Sequence, residues 1–423
     1  MSKNPVVYLF TMCWNEELII PYFLSHYEKF VDKIFVYDNE STDNSVTLFK
    51  AHPKVTVETY TTNNEIRDDV YLNIKNNVWK TYANECDIAI VCDIDEFLHH
   101  RDMRQLLFKF HRSQCSIIKP MGFDMITDVF TFNYEIPLTE DVMDGVRNKL
   151  FDKLVAFKPK SVKEINYKGG CHYANPVGDV VYYDVTGVKL LHYKRLGRQY
   201  VINKMAAYST RLSVFNKQHG LGYEYMFSKE KHDANFDKIL SRKHNVFDNR
   251  VLIIGNSPSV IEKAFGDIIN KFPLIVRFND FVIEGFEKYV GTKTDVWVST
   301  FKSNKYTPSD FNEVYYICPP FLLPNVQIPP DDNITLISGN FYESINKLVD
   351  VKPLWASSGI VAIYYFLTRG YDVVIHGFDF FESEKLHYYV DDAKMVGHNP
   401  EKEKNAVMKL VRDKKIKLLS DIL

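Results

Sequence analysis

The sequence predicts an α/β protein of two successive domains, and three observations carry that prediction. The chain has 423 residues, more than one ordinary hydrophobic core accommodates. Apolar strand-like runs alternate with amphipathic stretches over roughly 1–97, the pattern of a mostly parallel sheet covered on both faces. The alternation starts afresh near residue 250, after the polar stretch FSKEKHDANFDKILSRKHNVFDNR, which places the boundary near 240–249. The expected domains are 1–245, with a helical linker over about 195–245, and 249–423.

Taken in order, NPVVYLFTM reads as a strand, and NEELIIPYFLSHYEKF as a helix with Ile19, Phe23 and Tyr27 on one face. KIFVYDN is a second strand, ended by the turn-forming NESTDNS. VTLFKAH is helical, VTVETYT extended, DDVYLNIKNNVWKTYANE helical, and CDIAIVCDIDEF a further strand. From 104 to 194 short strands and loops are expected, as in KLVAFKPKSV and GDVVYYDVTGVKLLHY; RLGRQYVINKMAAYSTRLSVFNKQ then reads as one long helix. In the second half, RVLIIGNSPSVIEKAFGDIINKF is strand, tight turn and helix. PLIVRFNDF, DVWVSTF, EVYYICPP, NITLISG and YDVVIHGFDF are strands, and GIVAIYYFLTRG is a buried helix ending on Gly370. Both halves are thus Rossmann-like α/β units, with no sequence repeat relating them.

Composition narrows the function classes. Hydrophobic residues make up 46% and charged residues 25%, the balance of a soluble globular protein, and the net charge of −2 gives no electrostatic footprint for nucleic acid. The 27 tyrosines and 30 phenylalanines suit large cores. The six cysteines form no CxxC pair, so neither a zinc site nor a disulfide framework is expected, and free thiols fit a reducing compartment. The first apolar run meets Glu16 and Glu17 too early for a signal peptide, and no run approaches the ~20 residues of a membrane span. A cytoplasmic location is expected. The basic tail EKEKNAVMKLVRDKKIKLL is a candidate for peripheral contact at the inner face of the membrane.

Two stretches carry chemistry. In VCDIDEFL, Asp93, Asp95 and Glu96 cluster where a buried strand ends, the position at which ligands gather on a parallel sheet. Such a cluster is costly to bury without a cation, and hard carboxylate oxygens suit Mg²⁺ or Mn²⁺ holding a diphosphate. In order and spacing, CWNEE, YDNESTDNS and DIDEF, with LLHYKR beyond, resemble family 2 glycosyltransferases of the GT-A fold over about 1–195. The resemblance implies nucleotide-sugar binding by Asn15, Glu16, Asp38, Asp43 and Asp93. It also implies metal ligation by Asp93, Asp95 and His192, with His172 of GGCHYANP as an alternative. The catalytic base stays open among Asp124, Asp128 and Glu135.

The turn GNSPS lacks GxGxxG, which weighs against dinucleotide binding. Gly255 allows close backbone approach, Asn256, Ser257 and Ser259 offer neutral polar groups, and the helix expected next would face phosphate with its N-terminus. No acidic cluster accompanies them, which suits a nucleotide leaving with a single phosphate. GNSPSV, VRFNDF, SSGIVAIYYF with YDVVIHGFDF, then HYY and H-x4-E, resemble in order the motifs of family 29 and bacterial sialyltransferases over about 250–405. By that resemblance Asn256, Ser257, Asn279, Ser357, Ser358 and Gly359 bind a CMP-sugar. His387 bonds the departing phosphate, His398 is the general base, and Glu403 positions the region, with no cofactor required. The long and short motifs lack the cysteines that vertebrate members pair, which leaves the donor open among acidic sugars carried on CMP.

Together these readings predict a bifunctional glycosyltransferase building a cell-surface glycan such as lipopolysaccharide or capsule. One domain would use a nucleotide-diphosphate sugar and a metal, the other a CMP-sugar, both acting on an oligosaccharide or glycolipid acceptor. The alternative keeps one domain catalytic and makes the other a glycan- or partner-binding module. A nucleotidyltransferase or dehydrogenase is the remaining class.

Overall fold

The computed structural model describes residues 4–184, 187–300, 305–311, 313–320, 334–390 and 397–422. Val185, Thr186, Phe301 and Asn333, which fall in strands expected from the sequence, lie outside the described residues. The chain divides into two compact units, 1–246 and 247–423.

The first unit begins with β1 (Val7–Cys13), α1 (Ile20–Tyr27), β2 (Lys33–Asp38), α2 (Ser45–Lys50), β3 (Val55–Thr59), α3 (Asp68–Asn77) and β4 (Ile88–Val91). β4, β1, β2 and β3 lie side by side and parallel, and the antiparallel strand Ala156–Phe157 extends the sheet beyond β4. β1 and β4 are apolar almost throughout because both faces of the sheet are covered. A second sheet contains β5 (Glu96–His99), β6 (Met121–Thr127) and β7 (Lys189–Leu196), with β7 between the other two. α4 (Arg198–Arg211) and α5 (Lys229–Leu240) follow it.

Three expectations are corrected here. The single strand read over 86–97 is two strands in two sheets. The Glu96 carboxylate accepts from the Asp93 backbone N–H at 3.0 Å, so the chain turns at Asp93–Asp95 before entering β5. The helix read over 68–85 tightens into a 3₁₀ turn at Val78–Tyr82, which places the buried Trp79 edge-on to Phe157 at 4.9 Å. The helix read over 195–218 stops after Arg211, because Ser213 caps a new helix at Val214–Gln218 with its hydroxyl on the Asn216 N–H at 3.1 Å.

The second unit is a seven-stranded parallel sheet of β8 (Arg250–Ile254), β9 (Leu274–Phe278), β10 (Val296–Ser299), β11 (Glu313–Tyr316), β12 (Ile334–Leu336), β13 (Asp372–His376) and β14 (Ile416–Leu418). Their order is β12-β11-β10-β9-β8-β13-β14. α6 (Gly339–Val349) and α7 (Ser358–Thr368) precede β13, and α8 (Pro400–Arg412) precedes β14. No long helix follows β8; that stretch holds a 3₁₀ turn at Pro258–Ile261 and a four-residue helix, Gly266–Ile269. The longer helices of this unit, α6, α7 and α8, all come farther along the chain.

The basic tail is likewise not an unattached amphipathic helix. α8 packs Val407 and Leu410 into the core beside Ile360 and Ile375, and β14 then pairs with β13. Among the described residues no helix is long and apolar enough to cross a membrane.

Leu410→Ala is therefore expected to cost about 2–4 kcal/mol in denaturant unfolding; a change under about 0.5 kcal/mol would mean the helix is not docked. Burial pushes the His26 imidazole down to about 4, below the unfolded value of about 6.5. The unfolded chain thus binds more protons between those values, and this contribution to stability is lost as pH falls from 6.5 to 4. Wild-type protein should lose up to about 3 kcal/mol relative to His26→Phe over that window. Parallel pH profiles of the two proteins would contradict it.

Candidate functional site

In the second unit the functional residues gather where strands β8, β9 and β13 end. Gly255 follows β8 and Gly377 follows β13, and the two backbones touch: a side chain at Gly255 would lie 2.1 Å from the Gly377 carbonyl oxygen. Gly377 itself has φ +70°, open to glycine at little cost. This contact opens a cavity of about 300 Å³, lined by Asn256, Ser257, Asn279, Ser357, Ser358, Gly359, His387, His398 and Glu403 among others. Of the residues named from the sequence for this half, all but Ser259 line this one space; Ser259 instead bonds the Ser257 hydroxyl at 2.6 Å.

Their roles differ. The Asn256 side-chain amide donates to the Phe278 carbonyl at 3.0 Å, and the Asn256 backbone carbonyl accepts the Tyr388 N–H at 3.0 Å, which ties the 387–389 segment to the first turn. Ser257 donates its hydroxyl to the Gly377 carbonyl at 2.8 Å. Asn279 sits at φ 51°, and no hydrogen bond engages its side-chain amide among the described residues. Ser357 caps α7, and the buried Glu403 carboxylate grips it twice, accepting from its N–H and its hydroxyl at 2.8 Å each. Burial raises the Glu403 carboxyl above its ordinary range, against the opposing bonds from Ser357. With Ser357 fixed and its hydroxyl accepting the Ile360 N–H, Ser358 and Gly359 of the first turn of α7 line the cavity, and a helix N-terminus favours an anion.

His398 bonds through Nδ1 to the Trp355 carbonyl at 2.8 Å and stacks on Phe381 at 5.8 Å. A carbonyl only accepts, so Nδ1 carries the proton and the neutral ring keeps a lone pair on Nε2. His387 stacks on Tyr389 with ring centres 5.2 Å apart.

Sequence reasoning missed the loop 377–381. Phe378, Asp379, Phe380 and Phe381 all line the cavity, and Phe380 and Phe381 both have positive φ, at 53° and 61°. Asp379 Oδ2 is buried with no hydrogen-bond partner. Consecutive left-handed bulky residues mark strain held for a purpose. The signal was present as GFDFF directly after a buried strand, but aromatic text there reads as the strand continuing.

In the first unit the pocket measures about 320 Å³ and is lined by Glu16, Asp93, Asp95, Asp124, His172 and His192, together with Lys75, Lys153, Lys204 and Arg195. Register explains part of this: His192 on β7 stands opposite Asp124 on β6 and Glu96 on β5. Four acids here have a basic partner. Lys75 meets Asp93 at 2.5 Å, Lys153 meets Glu96 at 2.5 Å and Asp93 at 3.8 Å, and Lys204 meets Glu16 at 2.7 Å. Arg195 meets Asp124 at 2.9 Å.

Asp95 is the exception, facing His192 Nε2 at 3.5 Å. Burial alone would raise its carboxyl; His192, Lys204 and Lys153 outweigh that and hold it well below the usual range. His192 Nδ1 is buried without a partner. Among the described residues no three His, Cys, Asp or Glu side chains converge on one point. A divalent cation at a diphosphate, however, commonly takes one or two protein donors and completes its shell with phosphate oxygens and water. Asp95 and His192 fit that demand. Asp93 does not, because Lys75 already neutralises it.

Other expected residues are not in the pocket. Asn15 accepts the Thr42 N–H at 2.7 Å, and Asp43 accepts the Glu17 and Ser45 N–H groups at 3.1 and 2.9 Å, so both lace two loops together. Asp38 is buried, accepting the Ser41 N–H at 3.0 Å. These short polar side chains serve the turn that the same residues announced. Asp128 pairs with Arg198 at 2.8 Å near the surface, and Glu135 is exposed, which leaves Asp124 as the member of that trio lining the pocket. Lys75, Lys153 and Lys204 were not foreseen, since isolated lysines on helices and loops carry no local motif.

Comparison with known proteins gives three findings. Residues 204–318 match the model of glycosyltransferase family 29 (sialyltransferase). A stretch of 44 residues is 39% identical to the beta-1,6-galactosyltransferase GALT29A of Arabidopsis thaliana, covering 10% of this chain and about a tenth (11%) of that protein. Two solved structures of a mammalian sialyltransferase, one of them in complex with Gal-beta-1-3GalNAc-ortho-nitrophenol, are 20% identical with a TM-score of 0.32, over 40% of this chain and 68% of theirs. The match to the family 29 model thus begins within α4, runs past the GNSPS turn and ends two residues beyond β11.

Proposed function

We propose that the protein is a glycosyltransferase whose second unit transfers a sugar from a CMP donor to a glycan hydroxyl. The single observation that carries this reading is His398, fixed as the Nδ1–H tautomer on the wall of the cavity that holds every family 29-like motif. The acceptor hydroxyl gives its proton to His398 Nε2 as its oxygen attacks the anomeric carbon. The bond from that carbon to the CMP phosphate breaks with its electron pair on the phosphate oxygen. The first-turn N–H groups of α7 and the His387 ring receive the developing charge, and the Phe378 and Phe381 faces take the cytosine. Sialic acid is the donor sugar that the family name favours. The GALT29A likeness keeps a neutral sugar in view.

For the first unit we propose nucleotide-diphosphate-sugar transfer. Asp95 and His192 would hold a Mn²⁺ or Mg²⁺ ion, which when bound supplies charge to the leaving diphosphate. Asp124, held by Arg195, is the carboxylate lining the pocket that is available to orient an acceptor hydroxyl. With two transferases on one chain, stepwise extension of a cell-surface glycan at the cytoplasmic side of a membrane is the role that follows. The lysine pairs on Asp93 and Glu16 favour a second reading, in which this pocket binds a sugar nucleotide or glycan without turnover.

His398→Ala should lower CMP-dependent transfer about 10²–10⁴-fold and leave unfolding unchanged; unimpaired turnover would remove the base assignment. UDP or GDP with Mn²⁺ should raise the melting temperature of wild-type protein, and Asp95→Asn should abolish the Mn²⁺-dependent part of that rise while leaving the response to CMP intact. Absence of any diphosphate response in wild-type protein would leave the second unit as the one transferase.

A further inference from the structure

Beside the Asp95 pocket lies a separate cavity of about 270 Å³ in the first unit. The two share Lys194, Arg195, Met205 and Glu224 as a common wall. Another part of its lining comes from α5, where His232, Asn235 and Lys238 recur at three-residue spacing, with Arg242 just beyond the helix end. A surface helix of this length ordinarily turns such a face to the core with apolar groups. Here Phe236 and Ile239 serve the core, and a strip of polar side chains is kept for the cavity.

Charged groups crowd the lining. Four cationic side chains, Lys194, Arg195, Lys238 and Arg242, line the cavity, and the lining acid is Glu224. Lys194 pairs with Glu224 at 2.9 Å. Arg195 uses Nε on Asp124, and its two terminal nitrogens have no hydrogen bond among the described residues although its side chain is only 15% exposed. Lys238 has neither an ion pair nor a side-chain hydrogen bond among the described residues. A half-buried guanidinium with a free two-nitrogen edge, opposite a free ammonium, matches an oxyanion such as a phosphate monoester or a carboxylate.

We infer that this cavity is an oxyanion subsite, which receives a phosphate or carboxylate carried by the acceptor glycan. The acceptor assignment rests on the transferase reading of the first unit, whereas anion binding does not. β7 sets the geometry: His192 faces the nucleotide pocket, and Lys194 and Arg195, two and three residues on, face both spaces. An acidic group seated on Arg195 would hold its sugar beside Asp124 and Asp95.

The test is a thermal-shift titration of the full chain with inorganic phosphate at constant ionic strength set by potassium chloride. Wild-type protein should show a saturable rise, and Lys238→Glu with Arg242→Glu, both exposed positions, should weaken it at least 10-fold while leaving the UDP or CMP response unchanged. Arg195→Gln should weaken it as well. No saturable rise in wild-type protein, or an unchanged one in the double variant, overturns the site. Glucose 6-phosphate and glucuronate, measured against neutral glucose, separate phosphate from carboxylate; if neither binds better than glucose, the acceptor assignment is wrong. A phosphate response without any UDP or GDP response would leave the anion site standing and sink the transferase reading of that unit.

Discussion

A carboxylate cannot be held away from water without a partner, and that constraint shapes both candidate sites. In the first unit five acids, Glu16, Asp93, Asp95, Glu96 and Asp124, converge where the two sheets meet their connecting loops. Four of them are answered by Lys204, Lys75, Lys153 and Arg195, drawn from two helices, a loop and a strand widely separated in sequence. The pairing leaves Asp95, with His192 beside it, as the acid with no lysine or arginine ion pair among the described residues. In the second unit the same constraint is met without lysines. Glu403 is answered by the N–H and hydroxyl of Ser357, and the result is a helix N-terminus held open toward the cavity.

In the proposed function the two solutions serve different leaving groups. The first pocket is rich in side-chain charge of both signs. A single phosphate needs only a few aligned N–H groups and an imidazole, which is what the second cavity offers. The glycines at 255 and 377 matter to this arrangement because they let two strand ends approach within backbone contact, and the cavity floor is that contact. The aromatic residues at 378, 380 and 381 then wall it, two of them in a backbone conformation such residues rarely adopt.

Much of this was legible in the residues. Parallel strands, their order of appearance and the restart near 250 follow from apolar runs of the right length, and the nine cavity residues of the second unit stand on short motifs with recognisable order. Local pattern failed where a residue's partner lies far away in sequence. DIDEF reads as a strand end, yet Glu96 turns the chain and enters another sheet. Asn15 and Asp43 read as ligand contacts and instead bind loops, since a short polar side chain at a turn serves its own backbone first. The lysines that answer the acids were invisible because an ion pair between positions 75 and 93, or 16 and 204, leaves no spacing to find. The helix expected directly after the GNSPS turn was misplaced by about a hundred residues for a similar reason: the helix whose N-terminus lines the same cavity arrives with Ser357.

The most direct measurement is calorimetric titration of CMP into the full chain in the presence of EDTA. Saturable binding to one site, unaffected by the chelator and weakened at least 10-fold by Asn279→Ala, is the result this account requires. No heat of binding, or equal affinity in the substituted protein, would contradict it.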